Sequence, residues 1–120
     1  MMKKKTFYSF IQKERIKGAE KQSGFQIEKD GIKLYLYETD LGKVYIIDPD
    51  SGLSFFSDYM LLEEAETFLS SEKVGKIREY RERPEYMLRV EIFKKFKKAA
   101  KAYEKYSKII DEMTQGAKNE

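Results

Sequence analysis

The sequence contains no cysteine, no histidine and no tryptophan, and it has only two prolines. Without cysteine the chain forms no disulfide, offers no thiolate nucleophile and has no cysteine-based metal site. Without histidine it lacks the side chain that most often transfers protons near neutral pH and that most often binds metals. Thiol chemistry, histidine-dependent catalysis and zinc sites of the usual types are therefore excluded.

Long apolar runs and enzyme motifs are also missing. No run approaches the roughly 18–20 apolar residues of a membrane span, and no secretory signal follows Met1. No glycine-rich phosphate loop or nucleophile elbow occurs, and no two carboxylates are predicted to be buried together. We therefore expect a cytoplasmic protein without membrane contacts that is not an enzyme and that uses no metal or cofactor.

The aromatic content indicates a folded chain. The 120 residues include eight Phe and nine Tyr, too many for a disordered segment even with 38% charged residues. This length suits one domain. We predict a single α+β domain over residues 1–120, with a flexible basic arm at 1–5 and a frayed tail at 114–120.

Charge is distributed unevenly along the chain. Residues 1–19 carry a net charge of +5, residues 20–72 carry −8, and residues 73–120 carry +6. Such segregation is typical of a protein whose electric field steers charged partners. Pairing of the basic ends with the acidic middle is the alternative.

The hydrophobic pattern predicts a helix followed by an antiparallel meander. Phe7, Phe10 and Ile11 share one side of a predicted helix over residues 6–19. Three or four strands follow between residues 25 and 56, with Asp30-Gly31 as a hairpin signal. The period of two places Ile32, Leu34 and Leu36 on one sheet face and Tyr35 and Tyr37 on the other. We expect helices to cover the first face.

Two or three helices are predicted after the strands, one from Ser57 or Asp58 to Ser70 and one from Glu72 to Arg83. Pro84 suits the first position of a last, long helix. An apolar stripe on that helix is predicted to be buried, and it comprises Leu88, Ile92, Phe96, Ala99, Tyr103, Tyr106, Ile110 and Met113. The opposite side carries Lys94, Lys98, Lys101, Lys105 and Lys108, over about 21 Å of helix.

These lysines are the strongest candidate site. With Lys95 and Lys97 they form a row that has no acidic residue between Lys94 and Lys101, whereas a solvating helix face usually mixes signs. The alternative is that these lysines are only the solvated outer face of a core helix. Arg78, Arg81, Arg83 and Arg89 form a second basic group around Pro84, and Arg78, Arg81 and Arg89 are its candidate binding residues. Local pairing with neighbouring glutamates is the alternative. Tyr35, Tyr37 and Tyr45 are candidate aromatic anchors on the free sheet face.

Two further patterns resemble known binding sites only in part. Asp48-Pro49-Asp50-Ser51-Gly52 lacks the glycine and carboxylate spacing of a calcium loop, so we predict a tight turn. The predicted order of helix, strands and helix over residues 6–70 is similar to that of double-stranded-RNA-binding domains. Those domains carry lysines at the start of their final helix, where this chain has Asp58 to Glu64. The resemblance therefore implies an order of elements and no RNA binding.

The combined expectation is a non-enzymatic protein-binding module that occupies a charged surface of its partner. A phage or mobile-element accessory or inhibitor protein is the class that this combination fits. The partner would present an acidic or a nucleic-acid-binding surface, and the last helix is long enough to form a homodimer. The alternative is sequence-nonspecific nucleic-acid binding through the basic C-terminal helix.

Overall fold

The protein is an α+β structure in which an antiparallel sheet precedes the helices. A computed structural model describes residues 2–118. The strands are β1 (Lys3–Lys13), β2 (Ile16–Lys29), β3 (Ile32–Glu38), β4 (Lys43–Ile47) and β5 (Ser54–Tyr59), and they lie in the sheet in chain order. A 3-10 turn (Leu62–Glu64) leads to the helices α1 (Ala65–Phe68), α2 (Ser71–Arg81) and α3 (Pro84–Lys118).

The predicted N-terminal helix is wrong, because this segment forms a long hairpin. β1 pairs with β2 from Lys3 opposite Gln26 to Lys13 opposite Ile16. The periodicity misled because both faces of β1 carry aromatic residues, so that no alternation of apolar and polar residues is visible. Phe7 packs on one face of the sheet and Phe10 on the other. With this helix absent, the similarity to double-stranded-RNA-binding domains is also lost.

Three boundaries differ from the prediction. Lys3, Lys4 and Lys5, expected as a flexible arm, are the first residues of β1. β5 extends through Ser57 and Asp58, so no helix begins there, and the helical segment before Ser70 is confined to the 3-10 turn and α1. α3 continues to Lys118, beyond the predicted start of a frayed tail, while residues 119 and 120 lie outside the described part.

The meander and the later helix starts agree with the prediction. Asp30 and Gly31 both have positive φ, as a type I′ hairpin turn requires. Ser70 caps α2 by accepting a hydrogen bond from the Lys73 backbone N–H, and Pro84 is the first residue of α3. Leu34, Leu36, Val44 and Ile46 are fully buried, and they pack with Val74 and Ile77 of α2. α2 therefore covers one face of β3 and β4.

The sheet curls until its first strand meets the turn between its last two. The Phe10 N–H of β1 donates to the Gly52 carbonyl at 2.8 Å, although β1 and β5 are opposite edges of the sheet. Gly24 of β2 lies close to β3, because a Cβ at this position would collide with the Leu36 carbonyl oxygen. The curl brings Phe7 onto Tyr35, with ring centroids 4.6 Å apart.

A buried carboxylate joins the β4–β5 turn to both long helices. Asp48 is completely buried, and its Oδ2 accepts hydrogen bonds from the Ser51 hydroxyl at 2.6 Å and the Tyr86 hydroxyl at 2.8 Å. Its Oδ1 accepts from Arg81 Nη2 at 2.6 Å. The predicted tight turn is therefore present and also anchors α2 and α3.

Candidate binding surface on the C-terminal helix

One side of α3 packs on the body of the protein. Tyr86 and Phe93 are buried and Val90, Phe96 and Ala100 are half-buried, at helical spacing along this side. Phe93 lies against Gly52, and Phe96 contacts Phe10 with ring centroids 6.0 Å apart. Farther along, Glu104 accepts a hydrogen bond from the Tyr8 hydroxyl at 3.0 Å and pairs with Lys21 at 3.8 Å. α3 therefore lies along the β1–β2 hairpin as far as Glu104.

The apolar stripe of the sequence is mostly exposed, which corrects the prediction that it is buried. Phe96 is half-buried and contacts Phe10, whereas the other members of this stripe are exposed. We call the remaining residues the apolar row: Leu88, Ile92, Ala99, Tyr103, Tyr106, Ile110 and Met113. Their large side chains are 43–73% exposed. With about 100° per residue, the apolar row lies roughly 120° around the helix from the packed side.

The five lysines at helical spacing occupy the other flank of α3, and we call them the lysine row: Lys94, Lys98, Lys101, Lys105 and Lys108. All five are exposed. The row lies roughly 100° from the packed side and about 140° from the apolar row. Three sides of one helix thus have different chemistry: one packs on the sheet, one is apolar and one is cationic.

The lysine row carries nearly uncompensated charge. Lys94 pairs with Glu91 at 3.4 Å, in an exposed geometry worth about 0–1 kcal/mol. Lys98, Lys101, Lys105 and Lys108 form no ion pair with any carboxylate of the described chain. Lys101 Nζ lies 5.8 Å from the Tyr8 ring centroid, a weak cation–π contact. These ammonium groups are therefore available to an external anion.

The two neighbouring lysines differ in their surroundings. Lys95 is exposed beside the apolar row and forms no ion pair with a described carboxylate. Lys97 is half-buried, with its Nζ 5.1 Å from the Phe93 ring centroid. Lys97 therefore stabilises the packed side of α3, and Lys95 belongs to the apolar flank.

The three candidate arginines do not join the lysine row. Arg81 is bound to buried Asp48, and Arg78 donates to the Asp30 carbonyl oxygen in the β2–β3 turn. Arg89 is exposed, but it lies roughly 140° around the helix from the lysine row. Arg78 and Arg81 thus fasten α2 to turns of the sheet.

The candidate tyrosines lie on the opposite face of the sheet from α3. Tyr37 and Tyr45 stack with ring centroids 5.1 Å apart, and Tyr35 stacks on Phe7. Lys43 Nζ lies 5.4 Å from the Tyr45 centroid. Partial burial, followed by the nearby Tyr45 and Glu20, raises the pKa of Tyr37. The tyrosines are half-buried by one another and by β1, so the structure does not bring them together with the lysine row.

Tyr8 lies on the other face, at the boundary between the sheet and α3. Desolvation, followed by the hydrogen bond to Glu104 and the charge of that carboxylate, raises the pKa of Tyr8. The Tyr8 hydroxyl therefore stays protonated and donates to Glu104 at neutral pH.

No group of three or more acidic side chains within residues 2–118 is placed to hold a metal ion. No helix in this same range is both long and apolar enough to cross a membrane. Comparisons with protein-family models, with curated proteins and with solved structures find no match to this chain.

Proposed function

We propose that this protein is a protein-binding module whose lysine row occupies a short acidic patch on its partner. The observation that carries the proposal is the set of four lysines on one flank of α3 that pair with no carboxylate within residues 2–118. Lysine supplies charge without the fork geometry of arginine, so the contact reads charge and not a planar ligand. Binding of this kind blocks a charged surface, as an accessory or inhibitor protein of a phage or mobile element would do.

The length and the ends of the row favour a protein partner over nucleic acid. Glu91 precedes Lys94, and Glu112 follows Lys108 on the same flank. A continuous phosphate backbone that extends past either end meets these carboxylates, whereas an acidic patch of about 20 Å fits between them.

The direct test measures binding to defined polyanions by fluorescence anisotropy. The probes are a labelled short polyglutamate peptide and labelled DNA and RNA of mixed sequence, each titrated at several salt concentrations. The row variant combines Lys98→Glu, Lys101→Glu and Lys105→Glu. Its matched control combines Lys13→Glu, Lys17→Glu and Lys33→Glu, which reverse three exposed charges on the sheet.

We expect the row variant to bind polyglutamate at least about tenfold more weakly than the wild type, while the control variant binds within about threefold. Equal affinity of the row variant and the wild type would refute the proposal. Tighter binding of nucleic acid than of the peptide, steeply dependent on salt and lost in the row variant, would establish the nucleic-acid alternative.

Capture from the native host gives the second readout. The wild type, the row variant and the control variant serve as baits, with and without nuclease treatment. We expect a protein that the wild type and the control retain after nuclease treatment and that the row variant loses. A captured protein that disappears with nuclease was bridged by nucleic acid and counts against the proposal.

A further inference from the structure

The apolar row of α3 is a large exposed surface on a single helix. Its exposed fractions are 66% for Leu88, 73% for Tyr103, 63% for Tyr106, 60% for Ile110 and 70% for Met113. Exposed apolar patches of this size on a soluble protein mark interaction sites. The row runs about 38 Å along the helix, from Leu88 to Met113. It also lies away from the lysine row, so a partner could cover one and leave the other open.

We propose that two copies of this chain pair through their apolar rows, with the two α3 helices antiparallel. The two-fold axis crosses the seam at the level of residue 101 along the helix. This register places Ile92 opposite Ile110 and Leu88 opposite Met113 of the second copy. At the centre it places small Ala99 opposite large Tyr103, so the two helices can approach closely. A row whose two halves complement each other is what an isologous interface requires.

The area of the row is sufficient for a stable pair. A large apolar side chain has roughly 150–250 Å² of surface. At the exposed fractions observed, the six large side chains of the row offer about 700 Å² per copy. Complete cover of both rows would bury at most roughly 1,400 Å² in total, which reaches the lower part of the range of about 1,200–2,000 Å² for specific interfaces.

Charge and shape favour the antiparallel arrangement. Among the described residues, the hydrogen bond and the ion pair of Glu104 are the last polar contacts between the sheet and α3, so antiparallel helices carry the two sheets toward opposite ends of the pair. The lysine rows point about 140° away from the seam and do not face each other. The exposed Lys95 flanks the seam, where the register brings its ammonium group near the Tyr106 ring of the second copy, a favourable cation–π contact.

Pairing would also double the proposed binding surface. In a two-fold antiparallel pair, both sheets lie on one side of the helix layer and both lysine rows on the other. The inference itself needs no residue of the lysine row, so it stands or falls separately from the proposed function.

The test is the association state of the full chain, measured by sedimentation equilibrium over a wide range of protein concentration. We expect reversible dimerisation of the wild type. The double variant Ile92→Glu with Ile110→Glu places carboxylates in the seam and is expected to remain monomeric throughout. Its circular dichroism should match the wild type, because both positions are exposed in the single copy.

The matched control is Met87→Glu, which changes an exposed apolar residue of α3 outside the row. We expect this variant to dimerise as the wild type does. A wild type that is monomeric at every concentration, or a dimer that the double glutamate variant leaves intact, would overturn the proposal. A row variant of the lysines that still dimerises shows that the two surfaces act independently.

The orientation is tested by cross-linking, which the absence of native cysteine makes simple. Two single variants are prepared, Ile92→Cys and Ile110→Cys, and are oxidised alone and as a mixture. Antiparallel pairing predicts a mixed disulfide between the two variants and little disulfide within either one, because equal positions are about 27 Å apart along the seam. Disulfides within each variant alone would show a parallel pair and contradict the proposed register.

Discussion

At the scale of single residues, Asp48 has the greatest structural influence. Its carboxylate is fully buried and receives hydrogen bonds from its own turn, from Arg81 of α2 and from Tyr86 of α3. A buried charge is tolerated only when such partners replace water. The cluster therefore fixes where both helices leave the sheet, and through Tyr86 it fixes the direction of the lysine row.

Replacement of Asp48 tests this influence. We expect Asp48→Ala to lower the free energy of unfolding by about 3 kcal/mol, because it leaves Arg81 and Tyr86 without their acceptor. The neighbouring Asp50→Ala removes an exposed carboxylate of the same turn and should change stability by less than about 0.5 kcal/mol. Urea denaturation of both variants measures the difference, and equal stability would contradict the assignment.

Tyr86 gives this cluster a signature at high pH. Burial, followed by the hydrogen bond to Asp48 and the charge of that carboxylate, raises the pKa of Tyr86 in the folded protein. In the unfolded chain a tyrosine ionises near pH 10. Above that pH the unfolded state loses a proton that the folded state keeps, so stability falls by up to about 1.4 kcal/mol per pH unit.

The variant Tyr86→Phe lacks the phenolic hydroxyl and therefore its ionisation. We expect it to be less stable than the wild type by about 1.5–3 kcal/mol near pH 7, from the lost hydrogen bond to a charged group. The gap should narrow between pH 10 and pH 12, since only the wild type loses stability there through this group. Denaturant titrations at a series of pH values follow the gap, and a constant gap would show that Tyr86 ionises normally.

The partners of Asp48 could not be read from the sequence. The pattern Asp48-Pro49-Asp50-Ser51-Gly52 predicts a turn, and the turn is there. Arg81 and Tyr86, however, follow 33 and 38 residues later, and nothing local distinguishes Asp48 from the exposed Asp50. The sequence therefore suggests Arg81 as a binding residue, although its guanidinium is bound to Asp48 inside the protein.

At the scale of elements, α3 shows what periodicity can and cannot predict. The helix and its start at Pro84 follow from local sequence, and so does the lysine row. However, α3 carries two sets of apolar residues at helical spacing, the apolar row and the packed side that contains Phe93. Only tertiary packing decides that the packed side is the buried one. The row that the sequence favours is longer and more regular, and it is the exposed one.

Truncation of one residue on the packed side and of one residue in the apolar row tests which of the two is buried. We expect Phe93→Ala to cost about 3–5 kcal/mol of unfolding free energy, because this ring is completely buried. Leu88→Ala should cost less than about 0.5 kcal/mol in the monomer, because its side chain is 66% exposed. Thermal unfolding at a concentration where the chain is monomeric measures both losses of stability. A larger loss for Leu88→Ala than for Phe93→Ala would mean that the apolar row is the buried side.

Local sequence signals predict the strands that follow the Asp30-Gly31 turn but not β1. Alternation over Ile32–Glu38 and the Asp30-Gly31 turn predict the second hairpin correctly. In β1 both Phe7 and Phe10 are packed, one on each side of the sheet, so the segment reads as helical. Only the closure of the curled sheet makes both faces of an edge strand apolar.

At the scale of the whole molecule, the fold depends on contact between its first strand and the β4–β5 turn. Gly52 lies at this contact with φ +69°, and an added Cβ would collide with the Phe93 ring and the Phe10 backbone nitrogen. Three parts of the chain that are distant in sequence thus meet around one glycine. A change here is expected to disturb the sheet closure and the packing of α3 together.

A pair of glycine variants isolates the effect of this crowding. Gly52 and Gly42 both have positive φ, but a Cβ on Gly42 meets nothing within 4 Å. We expect Gly42→Ala to cost about 1–2 kcal/mol from backbone strain alone, and Gly52→Ala to cost about 1–3 kcal/mol more from overpacking. Chemical denaturation measures both, and equal losses would mean that the closure is loose.

The buried turn carboxylate has a consequence for the order in which the protein assembles. During synthesis the sheet leaves the ribosome before Arg81 and Tyr86, so Asp48 remains hydrated until these two residues have been made. Final folding must then wait for the chain to reach Tyr86, and withdrawal of that carboxylate from water becomes a late step. Nascent chains in which Arg81 has not yet left the ribosome should accordingly remain sensitive to protease, whereas full-length chains held on the ribosome by a long C-terminal linker should resist it.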